Sequence, residues 1–414
     1  MTATQSQSPI THTHTHTPPP IRERRETGGG PLLAVIALCT AVTAANIYLA
    51  APLLGLIAKD FGASPSGAGW IASIAQLGYA IGLLFFAPLG DTADRRRLVG
   101  TLAAVTGVAL IAAGLAPGLP ALAAAVLVAC AATVVPQLLV PLVAERAPAE
   151  RRARHVAAVG AGLFTGIVAA RVLGGLAGQA FGWRAVFFGA AALTVAVGLL
   201  TAVLLPAEAR PRKAANPFKT IAGLPGLLAS SAGLRAACLR QAGLFGAWSA
   251  LWTTLTLLLT DADGPYGLSL GEAGLFGLFG LVSTVIGPFS GALIDRFGAP
   301  RVVTAAYVLT AVSVPLFLLG GHALWALCAG AALIHAGLVA GMVANQTRAL
   351  AATDRPAAAN TTYVVAAFIG GASASALAGP AHDHWGWTGV CAIATAWVVA
   401  GWLGGPLVAR EGRA

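Results

Sequence analysis

Residues 291–301 read GALIDRFGAPR, and residues 90–97 read GDTADRRR. Each stretch closes a long apolar run, 67–89 for the earlier copy and 268–292 for the later one. In both, an aspartate stands four residues after a glycine and is followed by arginine, and the copies lie about 200 residues apart. Two further pairs keep that order and offset. Ser66-Gly67-Ala68-Gly69 opens one run and Leu270-Gly271-Glu272-Ala273-Gly274 the other, while Phe181-Gly182-Trp183 is matched by Trp385-Gly386-Trp387. A series of matches at one offset marks an internal duplication.

Outward from these copies, apolar runs fill the chain at 31–57, 67–89, 98–116, 119–144, 155–180, 184–205, 235–260, 268–292, 302–320, 322–345, 357–380 and 386–408. About twenty residues at ~1.5 Å rise cross a hydrocarbon core of roughly 30 Å. Lipid offers unpaired backbone groups no partner, so the runs are helices. The expected fold class is therefore all-α: a membrane protein of twelve transmembrane helices, in two six-helix halves related by a pseudo-two-fold axis. Residues 1–30 form a polar tail, 31–205 the first half, 206–234 a basic, proline-containing linker, 235–408 the second half and 409–414 a short tail.

Composition agrees: 57% of the 414 residues are apolar and 10% charged, against roughly 25% charged in a soluble domain. The formal charge of +10 does not point to nucleic acid, because the basic residues lie in the short gaps between apolar runs. With the N-terminus assigned to the cytoplasm, alternate loops hold 21 of the 25 Lys and Arg, and the opposite loops hold Lys59 and Arg184 alone. The expected location is the cytoplasmic membrane, with both termini cytoplasmic. The run 31–57 is too long for a signal-peptide core and reads as a retained first span. Five cysteines sit singly in apolar segments with no His at ligand spacing, so neither disulfide nor metal is expected. His12, His14 and His16 alternate with threonine in a polar tail.

The two loop copies resemble the signature of the major facilitator superfamily, G-x-L-x-D-R-x-G-x-x-R, which the second copy matches throughout and the first in shortened form. The resemblance covers about residues 31–408 and implies a transporter whose halves rock about a midplane site. In these loops Gly90, Asp91, Asp94, Arg95, Arg96, Gly291, Asp295, Arg296 and Arg301 are the candidate gating residues, since glycine permits close helix approach and the aspartates can pair with arginines or helix N-termini. What the chain resembles most is the twelve-span drug and sugar efflux permeases, and that resemblance implies a proton antiporter. In the fifth span, Gly166, Ala170, Arg171, Gly174 and Gly175 stand where that branch shows G-x-x-x-G-P-x-x-G-G, with arginine in place of proline. The arginine that the branch carries in the fourth span is missing from residues 121–144, where Pro136, Gln137 and Pro141 stand instead.

Arg171 is a cation within an apolar span, at a cost of about 2.5–3.5 kcal/mol, and every Asp and Glu lies in a loop or at a span end. It is expected to face the bundle interior. Other polar or aromatic residues lie within spans that line the cavity in the superfamily: Asn46, Gln76, Tyr79, Gln137, Gln241, Trp248, Trp252, His335 and Tyr363. Each of them can equally serve as an interhelical hydrogen-bonding or packing residue. No G-x-x-x-x-G-K-[ST] loop is present, so the energy source is an ion gradient, with protons the implied ion, or the solute's own gradient. No cofactor is expected, and the partners are a small-molecule substrate and the lipid bilayer, with the protein a monomer. The leading expectation is export of a drug-like or sugar-like solute, with protons as the exchanged ion; the alternatives are uptake or facilitated diffusion of an organic anion, and a non-transporting sensor or enzyme on the same scaffold.

Overall fold

A computed structural model describes residues 30–91, 93–148, 150–205 and 217–411. The tail histidines, the linker cations Arg210, Arg212 and Lys213 and the last three residues lie outside the described residues. The helices are α1 (Gly30–Tyr48), α2 (Leu54–Asp60), α3 (Pro65–Phe86), α4 (Arg95–Gly114), α5 (Leu119–Ala132), α6 (Val135–Arg146), α7 (Arg152–Phe181) and α8 (Trp183–Leu204). After them come α9 (Pro217–Ser230), α10 (Ala232–Thr260), α11 (Leu270–Leu275), α12 (Leu281–Phe297), α13 (Ala299–Leu319), α14 (Leu324–Ala351) and α15 (Pro356–Glu411). Eleven stretches of these are long and apolar enough to span a membrane, and the last, Pro356–Gly405, bends at Gly386 (φ 59°, ψ −153°) into two. The described chain thus supplies twelve spans.

Three expectations about the spans are corrected. The run 31–57 is not one helix: α1 stops at Tyr48 and a 3-10 turn at Ala51–Leu53 leads into α2, because Pro52 has no N–H to continue the ladder. The fourth span breaks at Thr133 and Val134, one turn before Pro136, and the Thr133 hydroxyl donates to the Thr43 carbonyl at 2.8 Å. The eighth contains a 3-10 stretch, Phe276–Gly280, and runs on to Phe297, so the GALIDR copy is helical instead of a loop. Within the linker, α9 buries Leu224 and Leu227 against Leu234, Ala359 and Tyr363.

The duplication is visible in packing. At Gly166 of α7 a Cβ would overlap the Ala41 carbonyl of α1, and at Gly370 of α15 it would lie 2.6 Å from the Ala242 carbonyl of α10. These are the same helix pair in each half, brought close by glycine. The turn glycines Gly182 and Gly386 both have positive φ, 79° and 59°, which explains why the Phe/Trp-Gly-Trp sequence recurs there. The tryptophan after each ties the turn down: Trp183 Nε1 donates to Asp60 and Trp387 Nε1 to the Phe317 carbonyl. Arg184 also bonds Asp60, and that hydrogen bond holds the carboxyl below its ordinary range.

The halves meet along α3 with α15 and α7 with α11. In the most apolar 18-residue part of Ala232–Thr260 89% of the residues are buried, and in that of Leu270–Phe297 only 22%, which places α10 at the centre and α12 at the periphery. On the face bearing Gly182 the halves are shut: Gly175 and Gly274 touch, and Gln179 Oε1 accepts from the Gly271 N–H at 2.8 Å. On the face bearing Gly90 a cavity of about 380 Å³ lies between them, lined by Arg95, Gln137 and Glu145 of the first half and Ala357, Asn360 and Thr361 of the second.

Candidate substrate site between the halves

Arg171 enters from α7 and is 6% exposed. Its guanidinium carbon lies 5.3 Å from the ring centre of Tyr48 (α1), 4.8 Å from Trp248 and 5.1 Å from Trp252, both on α10. The two indoles share one face because they are four residues apart on a helix, and they stack with an interplanar angle of 5°. Cation–π contacts contribute about 0.5–2 kcal/mol each. Three of them match the roughly 2.5–3.5 kcal/mol cost of an arginine in a span. The cation is therefore held without a carboxylate, and no Asp or Glu is among the buried side chains of the described residues. Its Nη1 is buried and has no hydrogen-bond partner.

His335 of α14 closes the box. Its Nε2 accepts from Trp248 Nε1 at 3.2 Å and its Nδ1 lies 2.8 Å from the Ala331 carbonyl, which requires the neutral ring protonated on Nδ1. It stands edge-on to Trp252 at 4.4 Å. Beside Arg171 the free space is about 10 Å³, room for at most a single water.

A polar cluster joins the halves next to this box. Gln76 of α3 donates to Ser375 of α15 at 3.2 Å and accepts from Ser249 of α10 at 3.2 Å, and Ser375 bonds Thr253 at 3.0 Å. The reading of the sequence omitted Ser249, Thr253 and Ser375, and passed Tyr48 over as a packing residue. Ser249 and Thr253 follow Trp248 and Trp252 by one residue each at the same four-residue spacing, which was the available signal.

The structure assembles the sequence-selected residues unequally. Arg171, Trp248, Trp252 and His335 form the box, and Gln76 the adjoining cluster. Tyr79 accepts from Gln137 at 3.2 Å and packs on Phe368, on the way to the open cavity. Asn46, by contrast, spends its amide within the first half, on Thr133 and Thr194 at 3.3 and 3.1 Å. Asn46→Ala is expected to lower stability by about 1–2 kcal/mol, read as a lower melting temperature in detergent, because two buried hydroxyls lose their donor. Tyr363 donates to the Met342 carbonyl in the cluster under α9, and Gln241 is buried outside the box with Oε1 unpaired.

In the loop copies, Asp94 caps α4 by accepting from the N–H groups of Arg96 and Arg97. Arg95 forms a two-pronged pair with Glu145 of α6, at 2.9 and 3.2 Å, and donates to the Gly90 carbonyl at 2.7 Å. Glu145 was not selected as a site residue from sequence. Asp91 ends a 3-10 turn, and its side chain is outside the described residues. In the second copy Gly291 is half-buried, Asp295, Arg296 and Arg301 are exposed, the Arg296 guanidinium lies over Phe297 and Arg301 donates to the Phe297 carbonyl.

The family model for the Major Facilitator Superfamily matches residues 36–262 and 237–411. The chain belongs to this superfamily. This transporter is a multi-pass membrane protein. It is 64% identical over 390 residues to a Streptomyces coelicolor protein named "Probable transporter", covering 92% of this chain and 90% of that one. It is 32% identical over 300 residues to a chloramphenicol resistance protein of Streptomyces lividans, covering 70% and 71%. Among solved structures, the nucleoside transporter NupG matches with a TM-score of 0.74 at 14% identity, over 91% of this chain and 99% of that one. A peptide transporter matches with a TM-score of 0.73 at 16% identity, over 92% and 95%. At such identities the likeness is one of fold.

Proposed function

We propose that this transporter takes up a small amphipathic organic anion by alternating access, with the anionic group on Arg171 and the apolar body against Trp248 and Trp252. The observation that carries the reading is the buried Arg171 guanidinium, which faces aromatic rings of both halves, meets no carboxylate and keeps Nη1 unbonded. A solute held there is shared between halves, so rocking them exposes it to either side. The same reading puts the protein in the cytoplasmic membrane as a monomer with both termini inside, in line with the charge of its loops. The glycine–aspartate copies then act as gates: the Arg95–Glu145 pair braces the start of α4 against the end of α6, beside the open cavity.

The test is transport of naphthalene-2-sulfonate, a permanently charged aromatic anion, in right-side-out membrane vesicles containing the protein. Accumulation above vesicles lacking it is expected. Absence of flux with this anion and with aromatic carboxylates would refute the reading.

A second reading is export of a drug-like or sugar-like compound in exchange for protons. The chloramphenicol resistance protein favours it, at 32% identity. It predicts chloramphenicol accumulation in everted vesicles and none of the sulfonate in either orientation.

A further inference from the structure

Arg240 is a second cation inside a span. It lies about two turns into α10, at the seam with α15, where a Cβ on Gly405 would overlap its Nε. The Tyr307 hydroxyl of α13 donates to the Arg240 carbonyl at 2.6 Å. Arg348, one turn from the end of α14, comes close enough for the two like charges to act on each other. Among the described residues neither guanidinium has a carboxylate partner or a hydrogen bond, and both residues are half-buried. Buried groups near them are in the same condition. Trp248 bonds His335 and, one turn along, Leu244 fills the space that Gly341 leaves, so α10 and α14 run antiparallel, face to face. One turn further in that register, Gln241 reaches the level of Asn345. Asn345 is fully buried with Nδ2 and Oδ1 both unbonded, Gln241 is 1% exposed with Oε1 unbonded, and Arg240 keeps Nε and Nη1 buried and unbonded. Five of the ten such atoms among the described residues thus gather at one level of one half.

We propose that Arg240 and Arg348 bind a phosphate group, of an anionic lipid headgroup or of free phosphate, on the face bearing Gly90, with Asn345 Nδ2 one turn deeper as a further donor. Buried polar groups in folded proteins nearly always find a partner, and two long side chains of like charge turn apart into water unless an anion lies between them. What would satisfy these two lies outside the chain. The planar fork of arginine matches phosphate oxygens two at a time, and two guanidiniums with no acid beside them call for net negative charge. A zwitterionic headgroup brings its own cation and is disfavoured. The level is that of headgroups: Arg348 stands near a helix end, and the Trp402 ring, 38% exposed, packs on Tyr307 at 5.2 Å, as an aromatic side chain at a membrane interface does. Arg240 is two turns along α10 from Trp248, so this site is separate from the box and does not rest on the solute reading above.

The experiment follows melting of the purified full-length protein in detergent during titration with dioctanoyl phosphatidylglycerol, dioctanoyl phosphatidylcholine or inorganic phosphate. Phosphatidylglycerol is expected to raise the melting temperature saturably, with an apparent affinity at least about tenfold above that of phosphatidylcholine. A saturable rise with inorganic phosphate and none with phosphatidylglycerol assigns the site to the free ion. Arg240→Gln and Arg348→Gln are each expected to weaken the apparent affinity by about tenfold or more, and Arg171→Ala to leave it unchanged. Arg348→Glu supplies the missing negative charge from the chain itself. It is expected to melt higher than the wild type without ligand and to gain nothing from phosphatidylglycerol, and it provides the test even if Arg240→Gln does not fold. No saturable rise with either anion, equal rises with the two lipids, or a rise undiminished in Arg348→Gln overturns the proposal. A rise lost in Arg171→Ala moves the ligand to the box and overturns it as well.

Discussion

Arg171→Ala is expected to abolish transport while leaving thermal stability unchanged or raised. A charged hydrogen bond from a buried guanidinium to a solute anion is worth about 2–5 kcal/mol. At about 1.4 kcal/mol per decade its loss lowers transport of a subsaturating sulfonate by roughly a hundredfold. The fold has a different interest in this residue. Three aromatic rings offset the expense of the cation without exceeding it by much, and Nη1 stays unpaired. Alanine removes both the contacts and the buried charge, so melting in detergent shifts little. That opposition of signs separates a residue kept for its solute from one kept for its packing. Arg171→Lys is expected to recover only a small part of the flux, since an ammonium has neither the planar fork nor the stacking face of the guanidinium. Initial rates in vesicles and melting of the same preparations check both halves of the prediction. A variant that melts far lower and still transports the sulfonate would make Arg171 a structural anchor.

Gly166→Leu is expected to prevent assembly of the first half. The helix α7 lies against α1 so closely at this point that a Cβ would overlap the carbonyl oxygen of Ala41. That oxygen belongs to the backbone of a helix and has nowhere to turn. Even Gly166→Ala should cost at the upper end of the ~1–3 kcal/mol typical of overpacking, and leucine more. The yield of monodisperse protein on size exclusion and its melting temperature report the effect. Gly160, on the same helix, has open space where a Cβ would go, so Gly160→Ala is the matched control and is expected to be neutral. If Gly166→Leu behaves like that control, the α1–α7 contact is not what holds this half together.

Legibility differed between the two predictions. The small residues of α7 stood out in the sequence as a stripe at helical spacing, and a stripe of that kind means close packing wherever its partner lies. Arg171 stood out for the opposite reason, as a cation among apolar residues with no acid to neutralise it. Its company was not legible. Tyr48, Trp248, Trp252 and His335 come from three other spans, and they lie between 77 and 164 residues from Arg171 along the chain. Asn46 was as conspicuous as Gln76 when read along its span, yet one bonds within its own half and the other across to the second.

Twelve spans, their duplication and the presence of Arg171 as a cation inside an apolar span were decided by the sequence itself. Apolar length is a property of consecutive residues, and in lipid such a length has only the helix open to it. Where the helices break, which face of α10 looks at α7 and which groups share a dry space were decided by tertiary structure. Those depend on how glycine-lined helices cross, and a crossing belongs to two segments at once. The opening motif shows both sides: residues 90–95 and 291–296 reveal the repeat, but only the folded chain puts Arg95 on Glu145 and leaves Asp295 in the open.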